Sequence, residues 1–510
     1  MSNTPEIKIV LCIGSGYVGA LTMTMFANYH PEIKFYVFDV FKTLIDKYNN
    51  VKDEQTLPIV EKDLYTYFQK VFNKNLFFIS EISDELLFNV DVVFVCVNTP
   101  SITNYNYGTD ISIEDLKHIL YKGIELSMEN VYACVKNLVG RIVNLENNNP
   151  SKEMKKKIFI QKSTVAIQTL EHLHQIIQDI YKENNTNLTS DEIDYKISLL
   201  NIPEFLAEGN AIHNLLHPDR VVIGYLRDNK PSFEASKKMK NFYTPFLSED
   251  KIIEFDSISS EMTKLVSNAF LAQRLSSINS ISELCEKTRA NIHSISKSVG
   301  SDKRIGNTYL KASMGFGGSC FKKDVLSLIF IFSNLGLNIQ AMYWGNVILM
   351  NEYQRIRICQ KIVKASQGKT VGIMGLAFKG NIGDVRSSNS AFILSYLLNN
   401  KIPYKMYDPY SEVRDLRYEL QTYDDEKNKK YDYNSLSISR DFYETCKDCS
   451  VLIFTNNHDV FKTVDLKKVC DLMDKDSKVI FDTYDNFSLE QLEKEKFKIF
   501  KLGEFDGIDC

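Results

Sequence analysis

The sequence has little net charge and no long apolar run, and both absences exclude classes of function. Its 510 residues carry a formal net charge of −4, so general binding to nucleic acid or to a membrane surface is not expected. No apolar run approaches the roughly 20 residues that a membrane helix needs. Residues 6–14 (EIKIVLCIG) are too short for a secretory signal core. We therefore expect a cytoplasmic protein, in which a local cluster of cations would bind any anionic ligand.

Cysteine pairs at the spacing of zinc ligands are also nearly absent. Ten cysteines are scattered along the chain, and only Cys446 and Cys449 stand in a C-x-x-C arrangement. Because a second pair is missing and an apolar run follows, we expect no metal ion. The length of 510 residues exceeds what one ordinary core accommodates, so two or three domains are expected.

Short runs of β-branched and aromatic residues alternate with helical patterns in the first half of the chain. These runs predict buried strands of a parallel sheet at residues 8–14, 34–40, 75–80, 90–100, 156–164, 196–205 and 221–226. Residues 137–157 are polar, with an asparagine run and a lysine run, and predict a solvated loop.

From Ser259 onward, apolar residues at helical spacing continue for longer than in an ordinary helix. Ser259 or Ser260 is expected to cap this helix, with Glu261 in its first turn. Strand–helix alternation then resumes at residues 369–375, 404–409, 450–456 and 478–482. We predict an α/β protein with two doubly wound Rossmann-like domains joined by a long central helix. The expected regions are residues 1–256, 257–365 and 366–510.

A glycine-rich turn follows the first predicted strand. Gly14, Gly16 and Gly19 form the pattern G-x-G-x-x-G, and the next strand closes at Asp39, 20 residues after Gly19. Such glycines allow close approach to a pyrophosphate, whose charge the N-terminus of the following helix favours. Asp39 would accept hydrogen bonds from ribose hydroxyls and repel a 2′-phosphate, which favours NAD over NADP. The alternative is a glycine turn that serves packing alone.

A second loop, residues 97–100 (VNTP), follows the fourth predicted strand. It is either a simple turn or a loop on the cofactor side. Its position at the carboxyl end of a buried strand favours the cofactor loop, because doubly wound sheets place ligands at that edge.

Residues 315–324 (GFGGSCFKKD) place Cys320 among glycines, lysines and an aspartate. A structural cysteine is usually covered by apolar side chains. A reactive thiol needs cationic surroundings and access for a substrate, and this segment offers both. A turn with an incidental cysteine is the alternative from the segment alone.

Several longer blocks are similar to one family. They are CIGSGYVG, VNTP, KSTV, PEFLAEG, HPDRVVIG, KLVSNAFLAQRLSSINSISELCE, RIGNTYLKASMGFGGSCFKKD and GLAFKGNIGDVR. Together they resemble the UDP-glucose/GDP-mannose dehydrogenase family. The resemblance implies an enzyme that oxidises the C6 alcohol of a nucleotide sugar to a carboxylate in two hydride transfers to NAD.

UDP-glucose is the substrate that the resemblance implies, because the blocks KASMGFGGSC and FLAQR favour it. GDP-mannose or a UDP-N-acetylhexosamine is the alternative substrate, and a non-catalytic protein that binds nucleotide sugars is the alternative class. The resemblance also implies a homodimer through the long helix, or a larger homo-oligomer.

The resemblance assigns catalytic roles to six residues. Cys320 matches the nucleophile that captures the aldehyde as a thiohemiacetal and then carries the thioester. Lys264 and Asn268, four residues apart on one predicted helix face, match the pair that stabilises an oxyanion at C6. A solvated helix face is the alternative for that pair. The positions that handle protons and water match Asp324, Glu204 and Thr164.

Two sets of binding residues follow from the same resemblance. The cofactor set comprises Gly14, Ser15, Gly16, Tyr17, Val18, Gly19, Asp39, Val97, Asn98, Thr99, Pro100, Ser101, Val165, Glu208 and Arg386. The substrate set comprises Phe205, Leu206, Glu208, Lys264, Asn268, Arg304, Tyr309, Lys311, Gly315, Phe316, Gly317, Phe378 and Lys379. Within the second set, Arg304 matches a residue that reaches into a neighbouring subunit.

The chain departs from the family pattern at several places, among them Leu44, where the family often has an arginine near the cofactor phosphates. The family commonly has DGRR after its last core strand, with one arginine on the substrate, whereas this chain has FDTYDNF at residues 481–487. In the block LPIVEKDL, Lys62 and Asp63 replace a usual proline and glycine. None of these changes touches the proposed catalytic residues, so we expect an effect on affinity rather than on chemistry.

Overall fold

The chain forms two compact units. The computed structural model describes residues 7–102, 117, 120–184, 187–423 and 433–504. One unit comprises residues 1–102 and 126–265, and the other comprises residues 103–125 and 266–510. The predicted division at residues 256 and 365 stays a prediction, and its outer ends at residues 1 and 510 lie outside the described residues.

The first unit is built on an eight-stranded sheet. Its strands are β1 (Ile9–Ile13), β2 (Lys34–Phe38), β3 (Leu76–Ile79), β4 (Val92–Val95), β5 (Lys157–Gln161), β6 (Ile197–Asn201), β7 (Val221–Tyr225) and β8 (Ile252–Asp256). They are arranged in the order β3-β2-β1-β4-β5-β6-β7-β8. All neighbouring strands are parallel except β6 and β7. Strand order therefore reverses between β1 and β4, the place where doubly wound sheets bind ligands.

Helices cover both faces of this sheet. Their bounds are Tyr17–Tyr29, Lys42–Asn49, Leu64–Val71, Asp84–Asn89, Glu129–Asn148, Thr169–Glu183, Ser190–Lys196, Ala211–Leu216 and Lys230–Tyr243, with 3₁₀ turns at Glu54–Thr56 and Glu249–Lys251. Successive strand residues point to opposite faces, so Val10 joins one hydrophobic cluster and Leu11 the other. Both faces are buried, which explains why the strands are nearly continuous apolar runs.

The second unit contains a smaller parallel sheet. Its strands are β9 (Val371–Met374), β10 (Tyr404–Tyr407), β11 (Val451–Phe454), β12 (Val479–Asp482) and β13 (Lys498–Lys501), in the order β10-β9-β11-β12-β13. Its helices are Ile292–Gly300, Phe321–Asn334, Asn338–Ser366, Asn389–Asn399, Val413–Gln421, Phe442–Cys446, Leu466–Leu472 and Leu489–Lys494, with 3₁₀ turns at Tyr433–Ser435 and Asp459–Thr463. The predicted α/β class is confirmed, and every predicted strand run contains a strand. The second sheet is wholly parallel, whereas in the first sheet the run at residues 221–226 forms β7, which is antiparallel to β6.

The central helix, Ser257–Thr288, begins earlier than predicted. It follows β8 directly, and Asp256 accepts hydrogen bonds from the backbone N–H and the hydroxyl of Ser259 at 3.0 and 2.9 Å. Ser260 lies inside the helix, where its hydroxyl donates to Asn201 at 2.7 Å. The predicted caps at Ser259 and Ser260 are therefore wrong. Asp256, the last residue of β8, supplies the acceptor at the start of the helix. The sequence analysis did not predict β8 and therefore did not consider this residue.

The predicted solvated loop at residues 137–157 is also wrong over most of its length. Residues up to Asn148 belong to helix Glu129–Asn148, and β5 begins at Lys157. The apolar residues Leu138, Val139 and Ile142 recur at helical spacing and are buried against the sheet. The polar residues that suggested a loop lie on the opposite face of this helix and in the short connection after it.

Among the described residues, no helix is both long and apolar enough to cross a membrane.

Substitution of Gly140 tests the helical assignment of residues 137–148. Gly140 lies in the interior of Glu129–Asn148, and an added Cβ would meet no atom within 4 Å. Gly140→Ala should raise the free energy of unfolding by about 0.5–1 kcal/mol, because alanine loses less conformational entropy in a helix. Urea denaturation measures the change.

Gly336 provides the matched control for that substitution. It also has open space around its Cβ position, but its φ is 72°. Gly336→Ala should lower the free energy of unfolding by about 1 kcal/mol, since this backbone region is unfavourable for a residue with a Cβ. Equal effects at the two sites would contradict a helix at residue 140.

Candidate active site

The three glycines of the first loop serve three different purposes. Gly14 has φ 105°, and a Cβ there would lie 2.5 Å from the carbonyl oxygen of Cys96. A Cβ at Gly19 would lie 2.0 Å from the carbonyl oxygen of Gly14. Gly16 instead is exposed and meets no atom within 4 Å, at the N-cap of helix Tyr17–Tyr29. The first and third glycines are required by packing, and the second leaves room for a ligand at a helix N-terminus.

Asp39 lies directly after β2 and fixes this loop. Its Oδ2 accepts hydrogen bonds from the backbone N–H of Ser15 at 2.8 Å and from the Ser15 hydroxyl at 2.9 Å. Its Oδ1 accepts one from the N–H of Phe41 at 3.0 Å. A carboxylate has about four acceptor sites, so Oδ1 retains capacity for a ribose hydroxyl.

Tyr17 is anchored by a carboxylate that the sequence analysis did not assign. Its hydroxyl donates to Glu61, which also accepts the backbone N–H groups of Gly209 and Ala211 at 2.8 Å each. Burial and then this hydrogen bond raise the pKa of Tyr17 above its ordinary value. Asp63, two residues after Glu61, adopts φ 64°, a left-handed conformation that favours glycine. Glycine is the usual residue at this position in the family pattern given above. Val18, beside Tyr17, is half-buried in the same helix.

The loops after β4 and β5 are bonded to each other. The Thr99 hydroxyl donates to the carbonyl of Thr164 at 2.7 Å, and the Ser163 hydroxyl donates to the carbonyl of Val97 at 2.6 Å. Ser127 donates its N–H to the carbonyl of Pro100 at 2.8 Å. The remaining predicted residues of these loops are the exposed Asn98, the half-buried Ser101 and the buried Val165. The residues predicted in these two loops are thus neighbours at the carboxyl edge of the sheet.

Glu204 and Lys264 form a buried ion pair in the first unit. Glu204 Oε1 lies 3.2 Å from Lys264 Nζ, and Glu204 Oε2 accepts the N–H of Leu206 at 2.7 Å. Burial opposes ionisation of Glu204, but the charge of Lys264 and the hydrogen bond from Leu206 outweigh it and lower the pKa of Glu204. Glu204 is therefore a carboxylate at neutral pH and is able to accept a proton.

Two further cations flank this pair. Lys162 is buried and donates to the carbonyl of Ile202 at 3.2 Å, and burial lowers its pKa. Arg220 stacks on the ring of Phe205, with its Cζ 3.9 Å from the ring centroid. Neither cation was assigned from the sequence, although both stand inside quoted blocks. Lys162 is the first residue of KSTV, and Arg220 lies in HPDRVVIG. Glu208 is half-buried in the same region of the chain.

Cys320 occupies the N-terminus of a helix in the second unit. It is the N-cap of Phe321–Asn334, it is exposed, and its Sγ lies 3.7 Å from the Ser319 hydroxyl. Helix N-termini stabilise a thiolate. Asp324, one turn later, is buried, and its Oδ2 accepts a hydrogen bond from Asn268 Nδ2 at 2.6 Å. The structure thus joins two of the predicted catalytic residues directly.

A buried arginine holds the glycine loop that precedes Cys320. Arg355 Nη2 donates to the carbonyls of Phe316 and Ser387 at 2.7 Å each, and its Nε donates to Asn389 at 3.0 Å. Asn389 in turn donates to the carbonyl of Gly315 at 3.0 Å. Asn351 accepts the N–H of Phe316 at 2.7 Å. The loop is fixed through its backbone, and sequence reasoning missed these side chains, which appear in a helix as ordinary polar residues.

The loop is closely packed where glycine permits it. A Cβ at Gly317 would lie 2.6 Å from the carbonyl oxygen of Ser387, and Gly318 faces the ring of Phe378. The carbonyl of Arg386 accepts the N–H of Gly318 at 3.0 Å, while its guanidinium bonds to Asp384. Lys379 follows Phe378 and is half-buried.

The other predicted substrate cations lie nearer the surface. Arg304 is 89% exposed and pairs with Asp302 at 2.6 Å. Lys311 is 56% exposed and pairs with Asp485 at 3.1 Å. Tyr309 adopts φ 59°, and burial raises its pKa.

Comparison with known proteins identifies the chain. The models of the UDP-glucose/GDP-mannose dehydrogenase family match three segments: the NAD binding domain at residues 8–247, the central domain at 258–353 and the UDP binding domain at 372–488. This chain belongs to that family. Like the family, it is an NAD-dependent nucleotide-sugar dehydrogenase, and the first unit carries the NAD-binding domain.

Individual members of the family resemble the chain over most of its length. UDP-glucose 6-dehydrogenase of Mus musculus is 38% identical over 91% of this chain and 86% of its own. UDP-glucose 6-dehydrogenase 1 of Glycine max is 33% identical over 97% of each. The structure of a UDP-glucose dehydrogenase from Pyrobaculum islandicum has a TM-score of 0.76 at 22% identity and covers 99% of both chains, a likeness of fold.

Substitution of two glycines separates packing from ligand binding. Gly19→Ala should lower the free energy of unfolding by about 1–3 kcal/mol, because its Cβ would overlap backbone that does not yield. Gly16→Ala should leave stability within about 0.5 kcal/mol and weaken NAD binding about tenfold or more, because the methyl group enters the space left for the pyrophosphate. Urea denaturation measures the stability of each variant, and calorimetric titration measures its affinity for NAD. Unchanged NAD affinity in Gly16→Ala would contradict this assignment.

Substitution of Arg355 tests the support of the cysteine loop. Arg355 is 1% exposed and also faces Glu352 at 3.6 Å. Arg355→Met should lower the free energy of unfolding by about 3–5 kcal/mol, since it leaves the buried carbonyls without their donor and leaves Lys322, 3.5 Å from Glu352, as the remaining cation beside that buried carboxylate. The control Arg414→Ala removes an 88% exposed arginine that pairs with Asp415 and should change stability by about 0.5 kcal/mol or less. Similar effects of the two substitutions would exclude a supporting role for Arg355.

Proposed function

We propose that the protein oxidises UDP-glucose to UDP-glucuronate with two NAD, through a thioester on Cys320. The observation that carries the proposal is the exposed Cys320 at a helix N-terminus, with the buried Asn268–Asp324 pair in the same unit. The relatives at 33–38% identity that are UDP-glucose 6-dehydrogenases support UDP-glucose as the sugar. A dehydrogenase without a nucleophile would release the aldehyde.

NAD fits the first unit. Gly16 leaves space at the start of a helix, and Asp39 has acceptor capacity beside that loop. The loop residues after β4 and β5, Val97 to Ser101 and Thr164 to Val165, complete the cofactor side of the proposed site in this unit. Arg386 is the remaining residue that we assign to NAD. Bound there, NAD would supply the hydride acceptor for both oxidations at C6.

The protein's own residues divide the remaining work. Lys264 and Asn268 stabilise the oxyanion at C6 as the alcohol loses its proton and hydride. The Cys320 thiolate then attacks the aldehyde carbon, forms a C–S bond and gives a thiohemiacetal, whose hydride departs in the second oxidation. The product of that step is a thioester, which contains the acyl group at the oxidation level of the acid.

Hydrolysis of the thioester requires a base and a positioned water. Glu204 is ionised because Lys264 lowers its pKa, so it accepts a proton from the attacking water. Thr164 and Asp324 hold that water. The C–S bond breaks, the proton returns to the thiolate or to solvent, and the uronate is released.

The diphosphate and sugar are bound by the remaining predicted residues. Lys311 and Lys379 supply cations for the phosphates. The sugar and nucleotide contacts are Phe205, Leu206, Glu208, Tyr309, Gly315, Phe316, Gly317 and Phe378.

Self-association belongs to the same proposal. Large apolar side chains are exposed on the central helix at Phe270 and Leu284, and on helix Asn338–Ser366 at Ile339 and Tyr343. An apolar surface of this kind supports contact with a second copy of the chain. Arg304, exposed on the second unit, would then reach a neighbouring site.

The proposed cellular setting is the cytosol, and the proposed domains are residues 1–256, 257–365 and 366–510. Every cysteine in the described part of the chain is a free thiol, which is typical of a reducing compartment. The three family segments end and begin close to the proposed boundaries.

The stoichiometry of NADH formation tests the proposal. Purified protein with limiting UDP-glucose and excess NAD should form two NADH per sugar, and GDP-mannose or a UDP-N-acetylhexosamine should give far less. Cys320→Ser should reduce uronate formation by about 10³-fold or more, because the hydroxyl is a much weaker nucleophile. NAD binding should be retained.

Cys134→Ser is the matched control. Burial raises the pKa of Cys134 to about 12, so this thiol stays protonated, and its removal should leave turnover unchanged. Normal uronate formation in Cys320→Ser would exclude the covalent route. One NADH per sugar would show that oxidation stops at the aldehyde.

A further inference from the structure

A carboxylate faces the exposed lysine of the proposed nucleotide site. Lys311 Nζ lies 3.1 Å from Asp485 Oδ2 and donates a hydrogen bond to the carbonyl of Tyr484 at 2.9 Å. Asp485 stands in the segment FDTYDNF, where this chain has no arginine. The side chain available to a diphosphate is thus already paired with an anion of the same protein.

The turn that presents Asp485 is held firmly. The buried Asp482, at the end of β12, accepts hydrogen bonds from the backbone N–H groups of Asn486 and Phe487 at 3.0 Å each. Asn486 Nδ2 also donates to the carbonyl of Asn456 at 3.1 Å. Asp485 itself adopts φ 56°. The position of its carboxylate therefore follows from a bonded turn around a buried side chain.

Other charged groups surround the pair. Lys501 Nζ lies 3.5 Å from Asp485 Oδ1, and His293 Nε2 lies 3.8 Å from the same atom. Glu504 faces His293 at 3.7 Å. Burial opposes the charge of Asp485, but Lys311 and His293 outweigh it and lower the pKa of Asp485. The carboxylate is therefore charged at neutral pH.

We propose that Asp485 competes with the diphosphate of the nucleotide sugar for Lys311 and so weakens substrate binding. This inference rests on the proposed function, which assigns Lys311 to the phosphates. A bound diphosphate and Asp485 are both anions, and the ammonium of Lys311 reaches one of them fully only by leaving the other. The free protein therefore holds its lysine in an internal ion pair that binding has to break.

The surroundings make this competition effective. Lys501 Nζ lies 3.5 Å from Asp485, so the charge of this carboxylate remains partly neutralised when Lys311 departs. The exposure of Lys311, at 56%, leaves the side chain free to rotate toward a ligand. Because the pair is at the surface, salt weakens it.

Calorimetric titration with UDP tests the proposal without requiring turnover. Asp485→Asn should bind UDP about 3–10-fold more tightly than the wild-type protein at low ionic strength, and the gain should shrink at high salt. NAD affinity, measured on the same samples, should not change. The matched control is Asp474→Asn, which removes a carboxylate 2.9 Å from Lys369 and should leave UDP affinity unchanged.

A double-mutant cycle identifies the lysine involved. In a Lys311→Met background, Asp485→Asn should improve UDP affinity by less than about twofold, because the competed cation is absent. If UDP affinity rose by the full amount in that background, Asp485 would act by general electrostatic repulsion of the ligand. That result would overturn competition for Lys311.

The remaining outcomes separate this inference from the proposed function. Unchanged or weaker UDP binding in Asp485→Asn, in a protein that oxidises UDP-glucose, would overturn the inference alone. Failure of wild-type and Asp485→Asn proteins to bind UDP, together with no UDP-glucose oxidation, would overturn both.

Discussion

The burial of Arg355 is the constraint on which the geometry around Cys320 depends. A guanidinium has five N–H donors and remains charged inside a protein, so a buried arginine requires acceptors on several sides. Here the acceptors are the carbonyls of Phe316 and Ser387 and the side chain of Asn389. These contacts fix the backbone of a glycine-rich loop in which the buried ring of Phe316 is the main side-chain anchor. A reactive cysteine on a flexible loop would lose the orientation that attack on an aldehyde carbon requires.

Buried charges also determine the proton chemistry of the first unit. Burial alone would raise the pKa of Glu204. The ammonium of Lys264, 3.2 Å away, reverses that effect. In the proposed mechanism one residue of the pair serves as a base, and the other supplies positive charge for an oxyanion. The contact between them stabilises both charged groups in the free protein.

A protein with a net charge of −4 needs a local cluster of cations to bind a diphosphate. Several of its lysines and arginines pair with carboxylates, as Arg304 does with Asp302 and Lys311 does with Asp485. Such pairing costs little in the free protein because surface ion pairs are weak. It nevertheless decides how much of each positive charge remains for a ligand. Under the proposed competition, the affinity for a diphosphate depends on the carboxylates near the phosphates as well as on the lysines.

Sequence alone determined the parallel sheets, the glycine fingerprint and the family, because continuous apolar runs and glycine spacing are local patterns. It also proposed catalytic roles for Cys320, Lys264, Asn268, Asp324 and Glu204, which stand inside distinctive blocks, and those roles stay predictions. It failed at residues 137–148, where polar side chains concealed a helix whose apolar face is defined only by the sheet beneath it. It also missed Glu61 and Arg355, whose partners are distant in sequence, and the pairing of Lys311 with Asp485. Those contacts join residues far apart along the chain, so only the tertiary structure decided them.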